Sequence, residues 1–474
     1  MKKQGIILVY GNFKNLHTGH FRLLKFASGL GTKLKVGVHV DSLSTLESEL
    51  KFDIFSQLNF INEVILYTNV EQLIRSVKPD LVVKGREFEG QDNKEIEVIN
   101  EIGAKLIFSS GDFYLNEADF TRKENSNHVE INRKFQDYLA MRKDFNRDSI
   151  LDLVQGFKNL KVCVVGDLIV DKYVNCRAVG LSQEDSSVVY TPIEEINYLG
   201  GAGIVAAHCS KLGAQTTFVS ITGSDESSHW AEMQLTESGV SSKFISDDSR
   251  PTTIKLRYRM DGRVLFRLTH YQNSPIQQET RIRVSNLLSE MIDEFDLLIF
   301  SDFSYGVLDQ QLATELLKKA KENSVFTSAD SQSSSQIGSL SKFQGCDLVT
   351  PTEKEARLEL RNELDGLSVV ASHLRERIAA RHIMLKLGPD GVLIDGDEND
   401  LNPSLIQKIP AFNPQPIDVS GAGDSLLAAS SMCLAQQSKP LEAAVVGSLV
   451  AALQVSREGN LPISAQELLQ LIEM

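Results

Sequence analysis

The segment Asp418-Val-Ser-Gly-Ala-Gly-Asp424 runs without a break into Ser-Leu-Leu-Ala-Ala. No other stretch narrows the possible folds of this chain as far. Two glycines flank an alanine, a carboxylate follows, and an apolar, helix-forming run begins at once. Such a turn can aim backbone N–H groups at an anion, because a helix start carries free donors and a positive dipole end. A carboxylate there can take a proton from a hydroxyl while the N–H groups of Gly421, Ala422 and Gly423 hold a phosphate in transfer. The same residues would equally serve a tight strand-to-helix connection with a capping Asp424.

A second turn of this type lies far upstream. Gly200-Gly201-Ala202-Gly203 precedes Ile-Val-Ala-Ala-His, again with glycines opening an apolar helix. Before it, Lys161-Val-Cys-Val-Val-Gly reads as a buried strand followed by carboxylates at Asp167 and Asp171. Strand-like runs at Leu297–Phe300, Val325–Ser328, Asp347–Thr350 and Ile383–Lys386 alternate with helical patterns. That alternation predicts a largely parallel sheet covered on both faces. Val188–Thr191, Ile254–Tyr258 and Val264–Arg267 read instead as exposed hairpin strands.

The other end of the chain differs. Gly5-Ile-Ile-Leu-Val-Tyr10 is a short apolar strand, followed by Gly11-Asn-Phe13 and then His17-Thr-Gly-His20 at the start of an amphipathic helix. Two histidines so placed can converge on a phosphate and stabilise the charge that builds when it is attacked. A zinc pair or two surface histidines are the plainer alternatives. Neither a Cys nor a further His lies close enough in sequence to complete an obvious zinc site.

At 474 residues the chain exceeds one ordinary core, and two domains are expected. Residues 1–116 form the first, 117–147 a charged, partly helical linker, and 148–474 the second. In the linker, Ile131, Phe135, Tyr138 and Leu139 recur at helical spacing. A net charge of −14 argues against a nucleic-acid partner, whose phosphates demand a basic face. Anionic ligands would therefore need local cations, with Lys84, Lys255 and Arg257 as candidates. Five scattered cysteines suit a reducing, cytoplasmic setting. No apolar run reaches the length of a membrane span, so a soluble protein without a membrane partner is expected.

The order and separation of the 161–171 strand, the Gly200 turn and the Gly421 turn resemble the ribokinase-like sugar kinases. Gly180-Leu-Ser-Gln-Glu184, Thr253-Ile-Lys-Leu-Arg257, Ser301-Asp302, Thr350-Pro-Thr-Glu-Lys-Glu355 and Lys386-Leu-Gly-Pro-Asp-Gly391 fall in the same register. That resemblance spans roughly residue 159 to the C-terminus. His-x-Gly-His behind a strand and Gly-x-Phe resembles nucleotidyltransferases, with Asp41 and Pro79-Asp-Leu-Val-Val-Lys-Gly85 also matching. Together they are similar to the bifunctional heptose kinase/nucleotidyltransferases of ADP-heptose synthesis, in reversed domain order. The resemblance implies an α/β protein of two domains, a Rossmann-like nucleotidyltransferase fold and a ribokinase-like sandwich with a small β lid. It further implies ATP and Mg²⁺, a sugar phosphate (a heptose 7-phosphate taken at C1), and a possible homodimer through the lid.

On that resemblance Asp424 is the general base and Gly421, Ala422 and Gly423 form the anion hole. Asp167, Asp171, Gly200 and Gly201 would hold the sugar, with Lys255 and Arg257 on its distal phosphate. Thr352, Glu355, Gly388 and Gly391 would line the nucleotide, Glu355 meeting Mg²⁺ through water. In the first domain His17 and His20 would grip nucleotide phosphates, with Gly11, Phe13, Asp41 and Lys84 beside them. The chain departs from the pattern at Ile204 and Thr352, where Asn is usual, and at Tyr305, where Lys is usual. Lys14 replaces an acid, the segment from Asp41 to Lys51 is short, and a Ser-Thr-Thr element is absent. These departures concentrate in the first domain, so a ligand-holding domain without turnover stands beside the enzymatic expectation.

Overall fold

The computed structural model describes residues 4–13, 18–40, 52, 55–56, 58, 60–85, 88, 95–109, 122–142, 145–182, 184, 187–260, 263–272, 274, 276–332, 338–396 and 407–474. Two compact units divide the chain, Met1–Ser126 and Asn127–Met474.

In the first unit, β1 (Gln4–Gly11), β2 (Gly31–His39), β3 (Glu63–Tyr67), β4 (Leu81–Gly85) and β5 (Lys105–Ser109) are all parallel, in the order β3-β2-β1-β4-β5. The helices Thr18–Leu30, Val70–Val77 and Ile96–Glu101 make crossovers. Ile7 and Val9 of β1 enter one apolar cluster while Leu8 enters another, as alternate side chains must when both faces of a sheet are covered. Strand order reverses at β1, and ligands of such sheets bind beyond the carboxyl ends at that reversal.

The second unit holds two sheets. The larger contains β6 (Lys161–Gly166), β9 (Gln215–Thr222), β10 (Ser241–Ser246), β13 (Leu297–Asp302), β14 (Phe326–Ser331), β15 (Leu348–Val349), β16 (His382–Lys386), β17 (Val392–Gly396) and β18 (Gln407–Ile409). Their order is β10-β9-β6-β13-β14-β15-β16-β17-β18, parallel except for the last two, which join antiparallel. Val162 and Val164 face one buried cluster, Cys163 and Val165 the other.

The smaller sheet contains β7 (Leu168–Leu181), β8 (Val188–Gly201), β11 (Thr253–Met260) and β12 (Arg263–His270), in the order β12-β11-β7-β8. It is mixed rather than a pair of hairpins, because β11 lies parallel to β7. Asp167 alone separates β6 from β7, so the chain leaves the large sheet and enters the lid at that residue. It returns at Gly201, directly into the helix Ala202–Lys211. Gly201 has φ +57°, and a Cβ there would lie 2.4 Å from the Asp167 carbonyl. Only glycine permits so sharp a return.

The stretch expected to be a linker behaves otherwise. The helix Arg122–Ala140 buries Ile131, Phe135 and Tyr138 in the larger core of the second unit, where Phe135 and Tyr138 meet Phe412 edge-on at 5.9 Å. Asn132 Nδ2 also donates to the Leu471 carbonyl at 2.6 Å. Helical spacing revealed the apolar stripe, but only packing shows what covers it. Phe135→Ala should therefore destabilise the second unit by about 3–5 kcal/mol, the usual penalty for emptying an aromatic core site. Urea unfolding of the full chain measures it, and a change below about 1 kcal/mol would mean the helix is not part of that core.

Candidate active site

The helix Ala422–Ala435 starts from Gly421, whose φ is +77°. A Cβ at Gly421 would sit 2.2 Å from Asn460 Oδ1, so both conformation and space require glycine. The intrahelical ladder begins with Ser425 N–H donating to Gly421 O at 2.9 Å. Ala422 N–H turns back to Val419 O at 3.4 Å. Of the residues expected to form an anion hole, Ala422 thus has its N–H turned back into the loop, while the N–H groups of Gly423 and Asp424 lie ahead of the ladder.

Asp424 is buried within the first turn of that helix. Its Oδ1 accepts from Gln332 Nε2 at 2.7 Å. Burial, then the charge of Asp330, pushes its carboxyl up to about 7, with Lys386 pulling the other way. Lys386 Nζ pairs with Asp330 Oδ2 at 2.7 Å. Asp330 is itself raised to about 6, by burial first, against the pull of Lys386. An acid that titrates near neutrality suits a general base, since it can both accept and release a proton.

On the lid side, Asp171 is buried and pairs through Oδ1 with Arg257 Nη2 at 3.2 Å. Asn460 Nδ2 donates to its Oδ2 at 3.3 Å. Burial raises Asp171, while Arg257 and Lys255 oppose that rise. Register places Lys255 opposite Asp171 and Arg257 opposite Tyr173. The Lys255 ammonium lies over the rings of Phe303 and Tyr305, at 4.9 and 5.3 Å, and Arg257 over Tyr173 at 4.9 Å. A Cβ on Gly200 would fall 2.5 Å from Asp171 Oδ2, so the missing side chain makes room for that carboxylate.

Asp167 is placed differently from expectation. Its carboxylate accepts from the N–H groups of Phe303, Tyr305 and Val307 at 2.8, 3.3 and 3.2 Å. Burial and the nearby Asp302 push it up to about 6. Those three bonds fold the loop after β13 and spend the carboxylate on shaping the cleft wall rather than facing a sugar hydroxyl.

The residues expected on the nucleotide side lie beyond the carboxyl ends of β15 and β16. Thr352 and Glu355 form a reciprocal cap on the helix Glu353–Leu360, Thr352 N–H donating to Glu355 Oε2 at 2.8 Å. Gly388, at φ +60°, and Gly391, at φ +91°, make the turn between β16 and β17, where a Cβ on Gly391 would meet Ile409 O at 2.0 Å. Among the described residues no three His, Cys, Asp or Glu side chains converge as a metal site. Mg²⁺ needs no such cage, since it binds through one or two carboxylates plus substrate phosphates. Glu355, buried in the first turn of the helix Glu353–Leu360 with Oε2 in the cap, is the carboxylate that would be offered to such an ion.

In the first unit, Gly11 ends β1 and Phe13, at φ +46°, packs on Phe55 and edge-on against His20 at 5.4 Å. His17 and Asp41 lie outside the described residues. Lys84, expected to face phosphate, instead pairs with Glu95 at 2.5 Å. Tyr10 donates to the same Glu95 oxygen at 2.5 Å. Despite burial, these partners hold Glu95 below its ordinary value.

Sequence reading missed Asp330, Gln332, Tyr173, Arg259, Asn460, Glu95 and the role of Lys386. Asp330 and Lys386 had a usable signal, for each is a charged residue near the carboxyl end of a parallel strand, where such folds place ligands. Asn460 had none.

Comparison with known proteins agrees with this geometry. The chain belongs to the pfkB family of carbohydrate kinases, whose family model matches residues 159–465. It is 30% identical over 319 residues to the bifunctional protein HldE of Helicobacter hepaticus, covering 66% of this chain and 64% of that protein. The Campylobacter jejuni HldE is 30% identical over 311 residues, again with 64% of its length covered. The match thus spans less than two thirds of these relatives. Among solved structures, Escherichia coli phosphofructokinase-2 superposes with a TM-score of 0.54 at 16% identity, covering 66% of this chain and 98% of that one. Arabidopsis thaliana ribokinase, solved with ribose and ATP, gives 0.52 at 17%, covering 66% and 99%. The second unit is a ribokinase-like carbohydrate kinase.

Gly421→Ala tests the helix start. It should lower phosphoryl transfer at least ~100-fold while the fold survives, because misplacing a donor by about 1 Å costs that much. Steady-state kinetics paired with circular dichroism would show it, and unchanged turnover would remove the turn from the chemistry.

Proposed function

We propose that this protein phosphorylates C1 of a heptose 7-phosphate with ATP. The supporting observation is the pairing of a buried, near-neutral Asp424 at a helix start with a cationic lid face. Lys255 and Arg257 lie on that face in register with Asp171 and Tyr173, and Arg259 pairs with Glu458 beside the Tyr173 ring. In this reading the sugar hydroxyl oxygen attacks the γ-phosphorus of ATP as the bond to the β–γ bridging oxygen breaks. The hydroxyl proton passes to Asp424, and the N–H groups of Gly423 and Asp424 face the charge on the moving phosphoryl group. Mg²⁺ brought in with ATP would supply further neutralisation, and Glu355 would hold it through water. Arg257 and Lys255 receive the sugar's distal phosphate, Arg257 with its planar fork.

For the first unit we propose nucleotidyl transfer to the resulting sugar 1-phosphate, on the strength of His17, His20 and the parallel strand order. The Lys84–Glu95 pair favours a second reading, in which this unit holds a nucleotide or sugar phosphate without turnover. Pyrophosphate release from ATP or CTP with a panel of sugar 1-phosphates separates the two.

We also propose that the outer face of the lid meets a second copy. Phe266 and Leu268 are exposed there, and Tyr258 stacks on Phe266 at 4.4 Å. Sedimentation of Phe266→Lys against the wild type tests this, with a monomeric wild type as the contrary result.

For the kinase, D-glycero-D-manno-heptose 7-phosphate with ATP should yield a bisphosphate. Asp424→Asn should slow turnover roughly 10²–10⁴-fold, the usual worth of a positioned base. Arg257→Lys should raise KM for the phosphorylated sugar roughly tenfold with kcat little changed, as loss of a bidentate ground-state contact does. Equal rates for wild type and Asp424→Asn on every sugar phosphate tried would defeat the proposal.

A further inference from the structure

Lys386 is a buried cation with more donors than partners. Its side chain is 10% exposed, and an ammonium carries three N–H donors. Among the described residues Asp330 is its one hydrogen-bond acceptor, at 2.7 Å. Position makes the surplus informative. Lys386 closes β16, and Nζ would lie 3.2 Å from a Cβ built on Gly423, the second residue of the helix that carries Asp424. The ammonium therefore sits against the donors at the helix start, on the carboxyl edge of the large sheet.

A charge in this place is surrounded by acids. Asp330 from β14, Glu355 from the helix Glu353–Leu360 and Asp424 from the helix Ala422–Ala435 all act on Lys386, and despite burial they keep it protonated. Lys255 from β11 and Asp171 from β7 act on Asp424 from the lid side. The one ion pair does not satisfy the site: Asp330 Oδ1 is buried without a hydrogen-bond partner. A cation buried only to neutralise Asp330 would be expected to satisfy both groups, since unpaired buried polar atoms are costly.

We propose that Lys386 is a catalytic residue, its ammonium contacting the γ-phosphoryl group of ATP and completing from the floor of the cleft the positive surround begun by the Gly423 and Asp424 amides. Lys386 keeps its proton throughout; the only proton that moves is the one Asp424 takes from the sugar. This rests on the kinase reading of the second unit and adds the residue that recognises the transferred group. Lys suits the task as a compact point charge that can follow a moving phosphoryl group.

The test is nucleotide binding by calorimetry, with Mg²⁺ in excess, comparing adenylyl imidodiphosphate with ADP. Removing Lys386 alone would strand Asp330, so the informative variant is Lys386→Met combined with Asp330→Asn, with thermal unfolding as the fold check. The double variant should lose at least tenfold in affinity for the triphosphate analogue and keep its affinity for ADP within twofold. Asp330→Asn alone frees the ammonium and should tighten the analogue about threefold relative to ADP, which keeps the test decisive should the double variant not fold. Parallel weakening of both nucleotides, or no change in either, would make Lys386 a structural partner of Asp330 and overturn the proposal. A wild type that binds neither nucleotide would instead bring down the kinase reading itself.

Discussion

A single carboxylate, held out of water at the first turn of an apolar helix, organises the second unit. Asp424 can stay there because burial raises its proton affinity and Gln332 supplies a hydrogen bond. Its position depends on the left-handed turn at Gly421, and that turn is pressed against Asn460. The same Asn460 donates to Asp171 on the lid strand. Asp418 adds a second tie, accepting from the N–H groups of Ser420 and Gly459 and contacting the Tyr173 hydroxyl at 3.2 Å. The turn before the helix and the lid are thus tied together by hydrogen bonds between loops that are far apart in sequence.

Electrostatics follow from that assembly. Asp424, Asp330 and Asp171 place three carboxylates around one cleft in a chain of net charge −14. Anionic substrates are compatible with such a site only if cations are interleaved with the acids. Lys386 lies beneath the helix start, and Arg257 and Lys255 lie on the lid. Both lid cations lie over aromatic rings, and Arg257 is in addition paired with Asp171.

Much of this was legible in the sequence, and the remainder was not for identifiable reasons. The Gly421 and Gly200 turns announced themselves because glycine followed by an apolar run has few structural uses. The alternation of strand and helix foretold the parallel sheet, and Ile254–Tyr258 and Val264–Arg267 were correctly set apart as a separate layer. Asp167 was misjudged because a carboxylate behind a strand looks the same whether it meets a ligand or three backbone amides 136 to 140 residues away. The helix Arg122–Ala140 reads as a linker because its charge conceals where its apolar stripe packs. Asn460 and Gln332 gave no local sign, since their partners are supplied by distant strands and turns. In the first unit, Lys84 matched a motif, yet its charge is met by Glu95, eleven residues on.

The state of Asp424 is open to direct measurement. A carboxyl raised to about 7 in the folded protein and near 3.9 when unfolded stabilises the fold fully below the lower value. That contribution is lost as pH rises through the upper one. Urea unfolding of wild type and Asp424→Asn between pH 4.5 and 8.5 isolates it, because the amide does not titrate. The variant should gain stability over wild type as pH rises towards 7, by something on the order of 1–3 kcal/mol, and the gap should level off above. A difference that stays flat across the range would show an ordinary, ionised surface-like acid and contradict the buried, proton-holding carboxyl on which the proposed mechanism depends.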